Sequence, residues 1–495
     1  MLERIISFIS APDNSVLPQV CGIYPKSIHR SEDGVIFMAR IDTGDVLVAP
    51  ASSGFEGQSF PAGDRTYVAA GLSHSNAAVL RGLFPFTAPA PVLKHPRTLG
   101  VGDRLGIAAP GHIRAFEEYD AYPVFAQQSI RELTLTGRTY DDVIDCVSFF
   151  VFRDGFTKGF GADGDHVKTP SEVEYAISSG CSMITLDCSE HINNAAADMT
   201  DGEVAKACAW DPDLEGEYLN RTFRAGKAEV SYNETDLRRI CLMYNGAIEF
   251  AASVYERFLR GREGTIDFEI SIDETKTPTT PAQHFYIANE LISRGVKVAS
   301  LAPRFIGEFQ KGIDYRGSLE RFEMEFEQHA EIADYFGYKI SIHSGSDKFS
   351  VFPIVGRHTG GRFHLKTAGT SWLEAMAVIA DNEPELYREI HAFALEEGFK
   401  SAKDFYNVSA DLSRIPQLDS LSDGELRQLF EQDDARQLIH ITYGAILSAK
   451  NPDGSDRFRS RLYAAWHMHE EEYARRLSLH IGQHLEKLYS GFRIL

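Results

Sequence analysis

Positive charge is in short supply in this sequence. Lys and Arg total 50 against 71 Asp and Glu, a formal charge of −21, and a field of that sign repels phosphate backbones and anionic lipid. That argues against nucleic acid or a membrane as partner, and an anionic substrate requires local cations or a metal. Cysteine is also sparse, at six in 495 residues. None forms Cys-x-x-Cys, which excludes a disulfide scaffold and points to buried thiols in a reducing, cytoplasmic setting. No stretch reaches the ~18 uninterrupted apolar residues of a membrane helix. The segment Met1–Ser10 carries a short apolar patch without a cleavable signal pattern. Solenoid repeats, low-complexity tracts and the G-x-S-x-G, P-loop and H-E-x-x-H motifs are absent, so hydrolase and kinase templates have no foothold.

What is present is an ordinary globular balance of 43% apolar and 24% charged residues. Residues 1–95 are rich in Gly, Pro and short alternating runs and read as a β-rich cap. In it Val35–Asp42 and Asp45–Pro50 flank the turn Thr43-Gly44, and the proline-rich stretch Phe84–Leu93 reads as a linker. Across 96–370 short apolar strands alternate with amphipathic helices. The strand expectations are 103–110, 122–127, 158–163, 182–187, 266–272, 297–302, 339–343 and 362–367. Thr169-Pro-Ser-Glu172 and Thr280-Pro-Ala-Gln283 each place Thr at a cap, Pro at the first helical position and Glu or Gln three residues on. Eight such units fit a (β/α)8 TIM-type barrel, although alternation alone also fits an open doubly wound sheet. Residues 371–495 read as a helical extension, with helices over 383–398, 423–430 and 457–489. It offers a surface that a homo-oligomer would bury.

In a barrel the chemistry sits at the C-terminal strand ends, and polar residues cluster there. His191, His343 and Glu308 form one set able to ligate a divalent cation from separate elements. Glu190 and Glu274 are paired acids able to divide proton acceptance and donation. Arg304, Lys348 and Lys366 are the cations a substrate carboxylate would need. Gly159–Gly164 matches G-x-G-x-x-G, but Asp163 and Asp165 would repel a pyrophosphate. The segment also fits a tight strand-end turn that presents Asp165 and His166 to the site as substrate contacts. His364, beside Lys366, completes the expected substrate contacts. His480 and His484 share a helix face but read as packing, and His467 and His469 do not share one.

Four motifs, Gly161–His166, Leu186–His191, Ser341–Lys348 and Phe363–Trp372, together resemble the tagaturonate epimerase family of the UxaE type. The resemblance implies a divalent-metal enzyme interconverting D-tagaturonate and D-fructuronate in hexuronate catabolism. It implies a proton acceptor and donor at Glu190 and Glu274 and metal ligands at His191, Glu308 and His343, with Mn²⁺, Ni²⁺, Zn²⁺, Fe²⁺ and Mg²⁺ all admissible.

These ketohexuronates differ at C4 while the ketone is at C2, so simple α-proton abstraction does not invert the centre. Retro-aldol cleavage of C3–C4, rotation of the aldehyde and re-addition does. Three alternatives compete. A metal-dependent sugar isomerase or aldolase would use the same ligands. A glycosidase would need no metal. A non-catalytic interaction protein would leave the converging His, Glu and Lys residues unexplained.

Overall fold

Alternating strands pack the N-terminal region on two faces. The computed structural model describes residues 2–10, 18, 22–42, 44–208 and 212–492. Strands β1 (His29–Ser31), β2 (Gly34–Ile41), β3 (Gly44–Pro50), β4 (Gly57–Ala62) and β5 (Arg65–Ala70) form an antiparallel sheet in the order β1-β2-β3-β5-β4. Thr43, in the expected turn, and Cys21 lie outside the described residues. Successive β2 side chains alternate: Phe37 and Ala39 cluster with Ile5 and Phe8 of the helix Leu2–Ser10. Met38, on the opposite face, clusters with Leu80, Phe149 and Phe152 from the helices His74–Leu83 and Tyr140–Arg153.

Eight parallel strands then close into a barrel. They are β6 (Arg97–Val101), β7 (Tyr122–Ser129), β8 (Gly161–Val167), β9 (Met183–Asp187), β12 (Asp267–Ile272), β13 (Ser300–Pro303), β14 (Lys339–Ile342) and β15 (Phe363–Thr367). A hairpin, β10 (Thr222–Ala225) with β11 (Ala228–Ser231), interrupts the count between β9 and β12. β15 pairs back onto β6, from Phe363 opposite Arg97 to Thr367 opposite Val101, which shuts the ring. The (β/α)8 architecture is therefore present.

The first strand is displaced from 103–110. The Asp103 carboxylate accepts backbone N–H bonds from Leu105, Gly106 and Ala108 at 3.0, 2.9 and 2.8 Å. That network makes a turn where an apolar run suggested a strand. Thr169 and Thr280 both complete reciprocal capping boxes, with Glu172 and Gln283.

Beyond β15 the chain is helical. The expected helix over 457–489 divides into Arg459–Met468 and Glu470–Ser490, and 423–430 winds as a tighter 3₁₀ coil capped by Ser422 and Glu425. Glu470–Ser490 lies close against the barrel helices Ala109–Glu118 and Phe352–His358 because glycines leave room. A Cβ on Gly356 would stand 1.9 Å from the Leu488 carbonyl oxygen, and one on Gly111 2.8 Å from that of Ala474. Glu470 accepts from Arg40 and Arg153, each at 2.6 Å, so one carboxylate joins the N-terminal sheet, a barrel helix and the tail. Among the described residues no helix is long and apolar enough to cross a membrane.

Candidate active site

The period of two along a strand selects the residues that line the barrel axis. Asp163 and Asp165 on β8, Thr185 and Asp187 on β9, Glu269 and Ser271 on β12 with Asp273 just beyond, and His364 with Lys366 on β15 all follow that spacing. A cleft of about 880 Å³ opens at the C-terminal ends of these strands, and Asp165, His166, Asp187, Asp273, Glu274 and His343 are among its walls.

Below the cleft a buried ion network fills the lumen. Lys366 Nζ lies 2.7 Å from Asp163 Oδ2, 2.5 Å from Asp165 Oδ1 and 3.3 Å from Glu269 Oε1, and donates to Thr185 Oγ1 at 2.6 Å. Burial opposes ionisation of all three acids. For Asp165 and Glu269 the Lys366 cation together with the adjoining His166 and His343 outweighs it and holds them well below the usual carboxylate range. Asp163 is left raised, chiefly by burial.

Above this network two imidazoles and a carboxylate converge. His166 Nδ1 lies 2.7 Å from Asp165 Oδ1, and His343 Nε2 lies 2.7 Å from Glu269 Oε1. Each ring is thus oriented by a carboxylate on one nitrogen, leaving the other turned toward Asp273. His166 Nε2 is 3.9 Å and His343 Nδ1 3.4 Å from Asp273 Oδ1. Among the described residues the buried His343 Nδ1 has no hydrogen-bond partner.

Ligand atoms of His166, Asp273 and His343 all fall within 4.8 Å of one another. Two imidazoles and one carboxylate, each imidazole backed by a further carboxylate, are a donor set suited to a borderline divalent cation. Electrostatics agree. Burial alone would lower the pKa of His166, but Asp165 raises it to about 10, and Asp273 and Glu269 likewise raise His343. Acids that favour protons at this point favour a cation in their place.

A bulge makes this possible on β8. The β8–β9 register shifts between Gly164 and Val167, and His166 takes a left-handed φ of 53°. For a non-glycine residue that conformation costs about 1–3 kcal/mol. It lets consecutive residues, Asp165 and His166, serve the same site.

The structure separates several residues that the sequence grouped. His191 is not brought to His343. The segment after β9 folds against the helix Glu234–Val254, where Asn193 N–H donates to the Met243 carbonyl at 2.9 Å, and the His191 ring stacks on Phe250 with centroids 3.9 Å apart. Glu190, three residues past the strand, is exposed and comes no nearer than 4.0 Å to Lys168 Nζ at the rim.

Glu308 lines the cleft but accepts from Asn407 Nδ2 at 2.8 Å, outside the His166–Asp273–His343 group. Lys348 is fully buried and donates to the carbonyls of Gln310, Ile313 and Ser346 at 2.8, 2.6 and 2.8 Å, so it ties loops rather than facing the cleft. Burial lowers its pKa to about 7. His364 lies deeper in the lumen, 2.9 Å from Thr98 Oγ1. Arg304 and Glu274 do line the cleft.

Sequence reasoning passed over Asp187, Asp273 and Lys168 as site residues. Lys168 Nζ stands 3.2 Å from Asp187 Oδ2 and 3.5 Å from Glu274 Oε2. The signal for Asp187 and Asp273 was the two-residue spacing from Thr185 and from Glu269 and Ser271. Lys168, one residue before a helix cap, carried no such signal.

His480 and His484 do more than fill space. Asp347 accepts from Arg436 Nη2 at 2.6 Å and lies 2.5 Å from His480 Nε2, while its backbone N–H donates to His484 Nε2 at 3.1 Å. Ligand atoms of Asp347, His480 and His484 also lie within 4.8 Å of one another. An arginine on the carboxylate and an amide on the imidazole lone pair make the group a latch for the loop after β14.

Similarity to known proteins runs almost the length of the chain. Residues 24–488 match the family model for UxaE, tagaturonate epimerase. A tagaturonate/fructuronate epimerase of Thermotoga maritima is 40% identical over 473 residues, covering 94% of this chain and 96% of that protein. The native crystal structure of fructuronate-tagaturonate epimerase UxaE from Cohnella laeviribosi superposes with a TM-score of 0.92 at 45% identity, over 98% of this chain and 99% of that one. A glycerol-complexed form of the same enzyme gives 0.91 at 46%, over 94% and 96%. With the barrel closed and one family matched from the N-terminal sheet to the last helix, the chain belongs to the tagaturonate epimerase (UxaE) family.

Proposed function

We propose that this protein is an epimerase interconverting D-tagaturonate and D-fructuronate at a divalent-metal centre formed by His166, Asp273 and His343. Two relatives named for that interconversion, at 40% and 45% identity over nearly all of the chain, support the substrate pair. The observation that carries the site is the convergence of two carboxylate-backed imidazoles on Asp273 inside the cleft. A divalent cation held there supplies Lewis-acid polarisation of the substrate carbonyl.

The remaining work falls to the side chains. Asp165 and Glu269 fix the two rings, and Lys366 keeps both acids ionised. Asp187 and Glu274 flank the Lys168 ammonium and are cleft acids committed neither to the trio nor to the Lys366 network. One of them takes the proton from the C4 hydroxyl as the C3–C4 bond breaks, giving a C4 aldehyde and an enediolate across C2 and C3. After the aldehyde turns its other face, C3 re-adds. The C4 oxygen then recovers a proton through the same Asp187–Lys168–Glu274 group. The cleft walls keep the two fragments together between cleavage and re-addition.

The test is turnover of either ketohexuronate in heavy water. The expected result is interconversion that a chelator abolishes and Mn²⁺ or another divalent ion restores, without deuterium at C4. Obligatory C4 deuterium would replace bond cleavage with direct deprotonation. Chelator-insensitive turnover would remove the metal.

A further inference from the structure

Cations in the cleft divide into neutralised and unneutralised ones. Lys366 is enclosed by three carboxylates, and Lys168 faces Asp187 and Glu274. Arg104 Nε donates to Glu132 Oε1 at 2.8 Å, and its guanidinium lies 4.0 Å from the Tyr443 ring centre. Lys311 differs. Its ammonium donates to Ser344 Oγ at 3.2 Å and forms no carboxylate pair among the described residues. In a chain with 71 acids, a cleft lysine left with a single hydroxyl partner is conspicuous. An ammonium carries three N–H donors, so two remain.

His440, on the helix Asp433–Ile441, adds an independent observation. It lines the same cleft, yet among the described residues both buried ring nitrogens have no hydrogen-bond partner. Backbone makes room for it: a Cβ on Gly369 would stand 1.8 Å from His440 Cε1, and one on Gly312 3.1 Å from Nδ1. Burial, reinforced by Arg104 and Lys311, keeps the ring neutral, with one N–H to donate and one lone pair to accept.

We propose that Lys311, Ser344 and His440 form the subsite for the substrate's carboxylate, so that the C-terminal extension supplies a specificity-determining residue. The assignment rests on the keto-acid reading above. A carboxylate gives Lys311 the counter-charge that the protein withholds, and its oxygens accept from the ammonium, the Ser344 hydroxyl and the His440 N–H. Ser344 adjoins His343 and holds a left-handed φ of 52°, which ties this anion pole to one imidazole of the trio through a single peptide unit. An uncharged sugar could hydrogen-bond here but would leave the Lys311 ammonium without a counter-charge.

The experiment uses full-length protein supplemented with Mn²⁺ and two unreactive six-carbon probes, D-galactonate and its uncharged counterpart galactitol, titrated by calorimetry. Wild type is expected to favour galactonate by about tenfold to a hundredfold, as charged hydrogen bonds do. Lys311→Met should erase the preference, His440→Gln reduce it, and Lys311→Arg preserve most of it, with melting curves confirming that each variant is folded. An undiminished preference in Lys311→Met overturns the subsite. So does a loss of affinity for both probes alike. Turnover of tagaturonate is scored separately: an inactive wild type that still prefers galactonate defeats the reaction reading and spares the subsite. An active wild type with an unchanged Lys311→Met does the reverse.

Discussion

Replacing Lys366 by Met would remove the one cation shared by Asp163, Asp165 and Glu269, at 2.7, 2.5 and 3.3 Å, while keeping side-chain length. Breaking a buried ion pair costs about 3–5 kcal/mol, because the partner is left as an uncompensated charge. At about 2.1 cal/mol/K per residue, cooperative unfolding of a chain this long carries an entropy near 1 kcal/mol/K, so Tm should fall by roughly 3–5 °C at neutral pH. The pH dependence is the sharper signature. In wild type, against the cost of burial, Lys366 with His166 and His343 holds Asp165 and Glu269 below their unfolded pKa values, a stabilisation present above about pH 4 and lost on acidification. Without the lysine, burial pushes these acids upward, as it already does Asp163. The folded variant then takes up protons as pH falls, which relieves the penalty. The Tm gap between wild type and Lys366→Met should therefore be widest near pH 8 and narrow toward pH 5, measured by calorimetry at fixed scan rate with a chelator present. A gap that is flat over this range, or below about 1 °C, would refute the picture of Lys366 as the counter-charge the three acids share.

Elemental analysis should find metal depleted in His166→Ala and His343→Ala but retained in His191→Ala, whose ring stacks on Phe250 instead. Glu269→Gln weakens the hold on one imidazole, and a competitive chelator titration should register about 10–100-fold lower metal affinity. Gly369→Ala forces a methyl against His440, which should cost about 1–3 kcal/mol in denaturant unfolding. In the latch, Asp347 raises the pKa of His480 to about 10. Its contribution is complete below the unfolded value of about 6.5 and fades as pH rises through 10. The destabilisation caused by His480→Asn should accordingly be larger at pH 6 than at pH 9.5.

The barrel was legible because short apolar strands and Thr-Pro caps repeat with βα spacing, and both capping boxes are formed. The first strand was misplaced because Asp103 looked like a strand start, whereas its carboxylate gathers three backbone amides into a turn. His343 and the Asp165-His166 turn line the cleft as motif position suggested, but the sequence set Asp165 and His166 among substrate contacts and did not group His166 with His343 and Asp273. His191 and Glu190 carried the right chemistry just past a strand end. Once period-two geometry stops, however, side-chain direction depends on packing, and here the chain bends toward the helix Glu234–Val254. Lys348 illustrates the same limit: a lysine's charge is visible in sequence, but its three carbonyl partners are set by loops far apart along the chain. His440 and Lys311 meet only through tertiary structure.

The tail helix Glu470–Ser490 holds Asp347 through His480 and His484, and Glu470 on the same helix grips Arg40 and Arg153. Excising the barrel as a minimal catalyst would consequently loosen the loop after β14 along with the outer layers. Engineers seeking a smaller enzyme should trim elsewhere, and chimeras should exchange barrel and tail as one inherited piece.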